Sequence, residues 1–338
     1  MNTSRPVAVL AGASGFIGRA VTDAFAHDGY DVRRVGRDAE VTWSDQAALR
    51  RAVDGADVVV NLAGRSVDCR YTDRNRAEIL DSRVRTTRML HDAIAAAQHP
   101  PRVWLNASTA TIYRHATDRP QTEADGELGE GFSVDVATSW EHELFVGDLP
   151  GTRRVALRIA IVIGDGPATR MLLALARSGL GGTHYDGWCP PHRRYRGIGE
   201  HPTGQGRAPW HRTGGAQRFS WVHIDDVVGA IRFIRDDDRL AGPINIASPR
   251  PSDNRTLMQT LRRVTGARVG LPVTRGMLEL GMWALRTEPE LVTKSRWVLP
   301  QVLTEAGYVF GEPDLERALV DARDGRRQHP APVSEVRA

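Results

Sequence analysis

Val7-Ala-Val-Leu-Ala-Gly-Ala-Ser-Gly-Phe-Ile-Gly18 decides how the rest of this chain is read. The apolar run Val7 to Ala11 predicts a buried parallel strand. Gly12, Gly15 and Gly18 follow at a spacing of three, and helical periodicity runs from Phe16 to His27. Strand, glycine turn and helix start in that order form a dinucleotide-binding unit. Gly12 allows the tight turn, Gly15 lets a pyrophosphate approach the backbone, and Gly18 lets helix and strand pack closely. The unpaired N–H groups of the helix start then face the anion, which makes Gly12, Ser14, Gly15, Phe16, Ile17 and Gly18 the first candidate site. The plain alternative is a glycine turn that binds nothing.

At 338 residues the chain can bury one large domain or two smaller ones. Hydrophobic residues at 41% and charged residues at 25% are ordinary for a globular protein. No apolar stretch reaches the length of a membrane span, and the first strand follows the N-terminus too closely for a signal peptide. Cys69 and Cys189 are the 2 cysteines, too few for a disulfide framework, so a reducing cytoplasm is expected. A net charge of +4 does not by itself argue for nucleic acid. Lys294 is the only lysine among 45 basic residues.

Asp31 to Val35 reads as the second strand, ending in Gly36-Arg37-Asp38. A carboxylate at this strand end would bind the ribose 2′-hydroxyl of NAD. Gly36 and Arg37 stand there instead, and the planar guanidinium suits a 2′-phosphate, so NADP(H) is favoured. Asp38, one residue late, argues the other way, and Arg37 has the alternative of a solvated loop arginine. Ser44 to Val53 reads as a helix, Asp57 to Gly64 as a buried strand, and Asp73 to Ala97 as a long helix. Arg102 to Ser108 is the next strand, leading into Ser108-Thr-Ala-Thr-Ile-Tyr113. Strands alternating with helices predict an α/β fold with a Rossmann-type doubly wound parallel sheet. Ligands then bind beyond the C-terminal strand ends, where Gly12, Arg37, Gly64, Ser108 and Thr109 should lie.

Taken together, Gly12 to Gly18, Asn61-Leu-Ala-Gly64, Ser108 to Tyr113 and Phe219-Ser-Trp-Val-His-Ile-Asp-Asp226 resemble an extended short-chain dehydrogenase/reductase. Asp81-Ser82-Arg83, Trp140-Glu141, Leu299 to Tyr308 and Pro313 to Glu316 resemble its atypical "epimerase family protein" branch. That branch carries a C-terminal segment of unknown function. The resemblance covers residues 7 to about 320 and implies NADP(H) contacts at Gly36, Arg37, Leu62, Ala63, Glu78, Arg83 and Val162.

Most such enzymes place a lysine four residues after a tyrosine, so that both share one helix face and the cation lowers the phenol pKa. Lys294 has Glu290 four residues before it, so this chain lacks the pair. On the helix read from Val134 to Phe145, alignment through Glu141 puts Ser133 at the tyrosine place and Ala137 at the lysine place. The resembled branch lacks the pair as well. Ser108, Thr109 and Tyr113 remain as catalytic candidates: two strand-end hydroxyls for a substrate carbonyl and a phenol as acid. Each has a structural alternative, backbone capping for the hydroxyls and packing for Tyr113. Asp225 or Asp226 reads as a helix cap, and His223 as a hydrogen-bonded structural histidine.

Val155 to Ile163 reads as one strand beside the nicotinamide, Met171 to Ala176 as a helix closing at Gly179, His223 to Arg235 as a helix, and Ile244 to Ile246 as the last strand. From Gly182 to Phe219 the chain departs from the resembled pattern by about thirty extra residues. Cys189-Pro-Pro-His192 there could begin a metal site, with His184, His201 and His211 nearby. Trp188, Tyr195 and Trp210 among Arg193, Arg194, Arg196, Arg207 and Arg212 could bind a nucleotide, a phosphorylated substrate or single-stranded nucleic acid. A mobile, solvated flap over the pocket, at about 183–218, is preferred, with no metal and no nucleic acid. Thr256 to Val264 and the apolar Met277 to Leu285 read as lobe helices, and 324–338 as a disordered tail.

The expected organisation is a Rossmann domain at 1–164 plus 221–247 and a substrate lobe from 165–220 and 248–320. The expected function is an NADP(H)-dependent oxidoreductase or epimerase-like enzyme acting on a small carbonyl or hydroxyl compound, as a monomer or homodimer. A non-catalytic NADP(H)-binding scaffold or redox sensor is the alternative.

Overall fold

The computed structural model describes residues 5–188, 191–206, 211–285 and 294–325. Seven parallel strands form the main sheet. In chain order they are β1 (Val7–Ala11), β2 (Asp31–Gly36), β3 (Val41–Thr42), β4 (Val58–Asn61), β5 (Val103–Thr109), β6 (Arg153–Ile159) and, after three strands outside this sheet, β10 (Gly242–Ile246). Across the sheet the order is β10-β6-β5-β4-β1-β2-β3. β3 was not foreseen, because a two-residue edge strand carries no periodic signal.

Side-chain alternation builds a core on each face of the sheet. Ala8, Leu10, Val58, Val60, Val103, Leu105, Val155 and Leu157 face one way, against α1 (Phe16–His27) and α6 (Ile224–Asp236). Val9, Ala11, Val59, Trp104 and Ala156 face the other way. They meet α2 (Gln46–Val53), α3 (Asp73–Ala95) and α4 (Phe132–Phe145). Burial on both faces is why these strands read as unbroken apolar runs.

The expected strand 155–163 is divided at Ala160. Ile159 still pairs within the main sheet, whereas β7 (Ile161–Ile163) pairs with β9 (Trp221–His223) in a separate two-stranded parallel sheet. The Ala160 N–H donates to the Ile246 carbonyl at 2.9 Å. One apolar run thus serves two sheets, a division that hydrophobicity alone cannot mark. α5 (Pro167–Leu175) follows, and irregular helical turns end at Leu180 with Gly179 at φ 81°.

Another small sheet pairs β8 (Arg218–Phe219) with β11 (Ser252–Asp253). The helices α7 (Asn254–Thr265), α8 (Arg275–Leu285), α9 (Gln301–Glu305) and α10 (Leu315–Asp324) complete the described chain. On α8 Leu278 is buried, but Met277 and Leu280 are exposed, so its described side chains are not all lobe core.

The α6 cap departs from expectation. His223 holds that place: its Nδ1 accepts from the Asp225 N–H at 3.4 Å. Asp226 instead accepts from the Gly311 and Glu312 N–H groups at 2.6 and 3.0 Å, fastening the C-terminal segment to α6.

Within the 183–218 stretch, 193–203 is docked against α3 and α4, while many of its side chains are exposed. Arg76, 6% exposed, donates to the carbonyls of Arg193 and Gly197 at 3.3 and 3.1 Å. Asp135, 3% exposed, accepts from the N–H groups of Ile198 and Thr203, both at 2.8 Å. Two charged groups of α3 and α4 therefore pin this loop. Cys189, Arg207 and Trp210 lie outside the described residues, as does the tail from 326 onward.

Candidate functional site

A cleft of about 540 Å³ opens along the C-terminal strand ends, within the size range of small-molecule sites. Gly12, Gly15, Phe16, Ile17 and Gly18 line one end. Gly12 has φ 82°, and a Cβ there would lie 2.7 Å from the Leu62 backbone. A Cβ on Gly18 would collide with the Gly12 carbonyl. Gly12 is thus required by contact and by its left-handed backbone, and Gly18 by contact alone. Ser14 is exposed one step outside the lining, its carbonyl accepting from Arg19 Nη1 at 2.6 Å.

The start of α1 differs from several other helix starts. Side chains of Asp45, Thr72, Asp253 and Asp314 cap α2, α3, α7 and α10. Gly15 leaves α1 without a side-chain cap and without an acidic first turn. Its amide dipoles are consequently available to an anion, as a dinucleotide pyrophosphate requires.

Gly36 ends β2 and Arg37 follows it, both outside the cleft lining. The Val35 carbonyl accepts from the Gly12 N–H at 3.2 Å, which puts this end beside the glycine turn. Arg37 is exposed and makes no ion pair among the described residues.

Asn61 shapes the end of β4. It is fully buried, donates to Asn106 Oδ1 at 2.6 Å and accepts from the Ala63 N–H at 3.1 Å. Leu62 and Gly64 line the cleft, while Ala63 is buried behind them. Arg83 lines it too, lying over the Trp140 ring at 5.0 Å and donating to the Arg65 and Ile79 carbonyls, each at 3.0 Å. Burial without a carboxylate partner lowers its pKa to about 10. Glu78 is not in the lining. It pairs with Arg65, which is, and with Arg74 at 2.8 Å.

The three catalytic candidates separate. Ser108 is 5% exposed, and its hydroxyl donates to Glu141 Oε1 at 2.6 Å. Glu141 also accepts from Arg158 Nε and Nη2 at 2.8 and 2.7 Å. Tyr113 is 2% exposed and lies outside the cleft lining. Its hydroxyl donates to Asn245 Oδ1 at 2.9 Å and accepts from Arg158 Nη1 at 2.8 Å. Burial raises the Tyr113 pKa despite the neighbouring Arg158. The structure corrects its candidacy as an acid: it is the packed residue of a buried polar network.

Thr109 lines the cleft, accepts from the Thr111 N–H at 3.2 Å and donates to Thr111 Oγ1 at 3.1 Å. Ser133 and Val162 line it as well, whereas Ala137 is fully buried. Sequence reasoning missed Arg158, Thr111 and Arg296. Neighbouring strands bring Ser108, Arg158 and Asn245 to one level, and such pairing leaves no local signature. Among the described residues no His/Cys/Asp/Glu group could hold a metal ion. No helix among them is long and apolar enough to cross a membrane.

Residues 8–247 match the model of the NAD dependent epimerase/dehydratase family. The chain belongs to that family. Residues 273–322 match a domain of unknown function, DUF1731. Epimerase family protein YfhF of Bacillus subtilis is 27% identical over 320 residues, spanning 92% of this chain and 95% of its own. The crystal structure of human epimerase family protein SDR39U1 with NADPH superposes with a TM-score of 0.78 at 25% identity. It covers 95% of this chain and 100% of the human one. UDP-glucose 4-epimerase of Thermotoga maritima shares the fold at a TM-score of 0.67 and 18% identity, over 94% of this chain and 98% of its own.

Proposed function

We propose that this protein is an NADP(H)-dependent oxidoreductase or epimerase-like enzyme acting on a small carbonyl or hydroxyl compound. The observation that carries the reading is the uncapped start of α1 under the Gly12–Gly18 turn, opening into a cleft that continues past Thr109 and Ser133. The NADPH in the human relative's crystal structure supports the same choice of cofactor.

The α1 start and the glycine turn would hold the pyrophosphate, and Arg37 the 2′-phosphate. Leu62, Gly64 and Val162 would flank the cofactor, and Arg83 would add positive charge to the wall. A bound nicotinamide supplies hydride chemistry. The chain's part is to orient the substrate, exclude water and offer hydrogen bonds to its oxygen. Ser108 and Thr109 at the strand end and Ser133 at the tyrosine place are the cleft hydroxyls at positions that serve this purpose in the wider family. The same reading includes a cytoplasmic location and a monomer or homodimer.

Ser133 and Ala137 at the tyrosine and lysine places favour the second reading, a scaffold or sensor that binds NADP(H) without turning it over. Fluorescence titration with NADPH and NADH, followed by stopped-flow oxidation against a carbonyl panel, separates the two. NADPH binding with hydride loss to a panel compound is the expected result. Tight binding without oxidation favours the scaffold, and no NADPH binding overturns both.

A further inference from the structure

We propose that the outer end of the cleft is an apolar pocket, and that the substrate is a carbonyl compound, or the matching alcohol, bearing an aromatic or alkyl group rather than a nucleotide sugar. The inference rests on the reading of this cleft as a substrate site and names the class of substrate it takes.

The direction of α4 defines that outer end. Arg154, near the start of β6, donates to the Leu144 carbonyl at 3.2 Å, and Arg158, near its end, to Glu141. α4 therefore runs antiparallel to β6, and its N-terminal half projects past the strand ends. Trp140 stands at the dinucleotide level. Arg83 lies 5.0 Å over its ring, and a Cβ on Gly64 would lie 3.1 Å from the same guanidinium. Val136 and Phe132 follow at spacing four on the same face, and all three line the cleft. The helix carries this stripe about 12 Å outward from Trp140.

α3 and the chain before it complete the wall. Ile79, one turn before Arg83, lines the cleft and is buried with Phe132 and Val136. Val67 and Tyr71 line it as well and pack on this cluster. The Tyr71 and Phe132 rings meet edge to face, with centroids 4.7 Å apart. Arg65, Ser66 and Asp68 of the same segment are exposed and mark the mouth.

The docked loop stands behind this wall. Ile198 packs on the same cluster. Arg76 lies 4.8 Å over the Phe132 ring while its guanidinium holds the Arg193 and Gly197 carbonyls. Thr203 Oγ1 accepts from the Gly131 N–H at 2.8 Å, at the start of α4. The residues that depart from the family pattern thus hold Phe132 in place.

Such a surface favours a ligand through the apolar area it takes from water, and its aromatic corner suits a ring. A diphosphate buried against it would lose hydration without replacement. Ser133 follows Phe132 in the chain and lines the cleft too, so a carbonyl held at the cleft hydroxyls places its substituent on the apolar wall.

The test is a ligand-observed NMR titration of the NADP+-loaded protein, in which no hydride reaches a ketone, with acetophenone, 2-heptanone and UDP-glucose. Wild type, Val136→Trp, Phe132→Ala and Phe132→Leu are compared. The wild type should bind at least one ketone saturably and more tightly than UDP-glucose, and this preference decides the class without any variant. Val136→Trp fills the stripe and should weaken the ketone about tenfold or more. Phe132→Ala should weaken it about threefold to tenfold, the size of one aromatic contact, and Phe132→Leu by less than about threefold. NADP+ affinity of every variant should stay within about twofold of wild type, which reports an intact fold. Preference for UDP-glucose, absence of ketone binding, or equal ketone binding by Val136→Trp and Phe132→Ala overturns the pocket. Should the wild type fail to bind NADP+, the proposed function falls, and the same titrations of the protein alone still decide the pocket.

Discussion

Ser108 and Thr109 are adjacent at the end of β5 and both line the cleft, yet their hydroxyls are engaged differently. Ser108 turns inward to Glu141, whose pairing with Arg158 joins Tyr113 and Asn245 in a closed polar network. Thr109 lines the cleft and donates to Thr111, which also accepts from Arg296. Residue type does not distinguish the two hydroxyls. What distinguishes them is the partner each one meets: the buried Glu141 of α4 for Ser108, Thr111 on the cleft wall for Thr109. The buried side should therefore govern stability, and the open rim should govern ligands.

Glu141→Ala is the strongest way to break this contrast. Arg158 and Glu141 are both about one-tenth exposed, with side-chain values of 10% each, so the substitution leaves a buried cation without its partner. A loss of about 3–5 kcal/mol in urea unfolding is expected. A near-neutral result would mean that the network does not hold the strand ends together.

On the open rim, Arg37→Ala should leave stability alone. It should weaken NADPH by about 1.5–3 kcal/mol, the range of a hydrogen bond to a charged group, and leave NADH unchanged. Equal loss of both cofactors in fluorescence titrations would remove Arg37 from the 2′-phosphate.

A buried histidine extends the contrast to pH. His184 is 3% exposed, and burial pushes its pKa down to about 4. The unfolded chain then binds the proton more readily. The folded state is fully stable above about pH 6.5 and loses about 2 kcal/mol by about pH 5. Unfolding curves across that window should show the slope, and His184→Phe should reduce it by about that amount, leaving the part that His115 contributes. An unchanged slope in the variant would assign the acid sensitivity elsewhere.

The smallest effect belongs to Tyr113→Phe, which removes a hydroxyl bonded to Asn245 and Arg158. About 1–2 kcal/mol of stability should be lost, with NADPH affinity and turnover retained. Lower turnover at unchanged stability would restore Tyr113 as a proton donor.

The legible part of the molecule was local. Gly12, Gly15 and Gly18 mark a turn whose spacing is read within twelve residues, and alternation within each strand marks two buried faces. The absence of a tyrosine–lysine pair was equally local, since one lysine in the wrong place excludes it. What stayed hidden was set by contacts distant in sequence. The division of 155–163 at Ala160 depends on which strand each half meets, Ile246 or Trp221. The docking of 191–206 depends on Arg76 and Asp135, more than sixty residues away for every backbone partner named above.

The sequence by itself determined the parallel α/β sheet, the glycine turn for a dinucleotide and the loss of the usual catalytic pair, because each follows from backbone geometry or residue type at short range. Only the tertiary structure decided that Ser108 and Tyr113 are buried in a network, that Thr109 and Thr111 face the cleft, and that Arg296 reaches them from the far end of the chain. Those assignments depend on burial and charge pairing between separate elements, and side-chain direction is fixed only when those elements have packed.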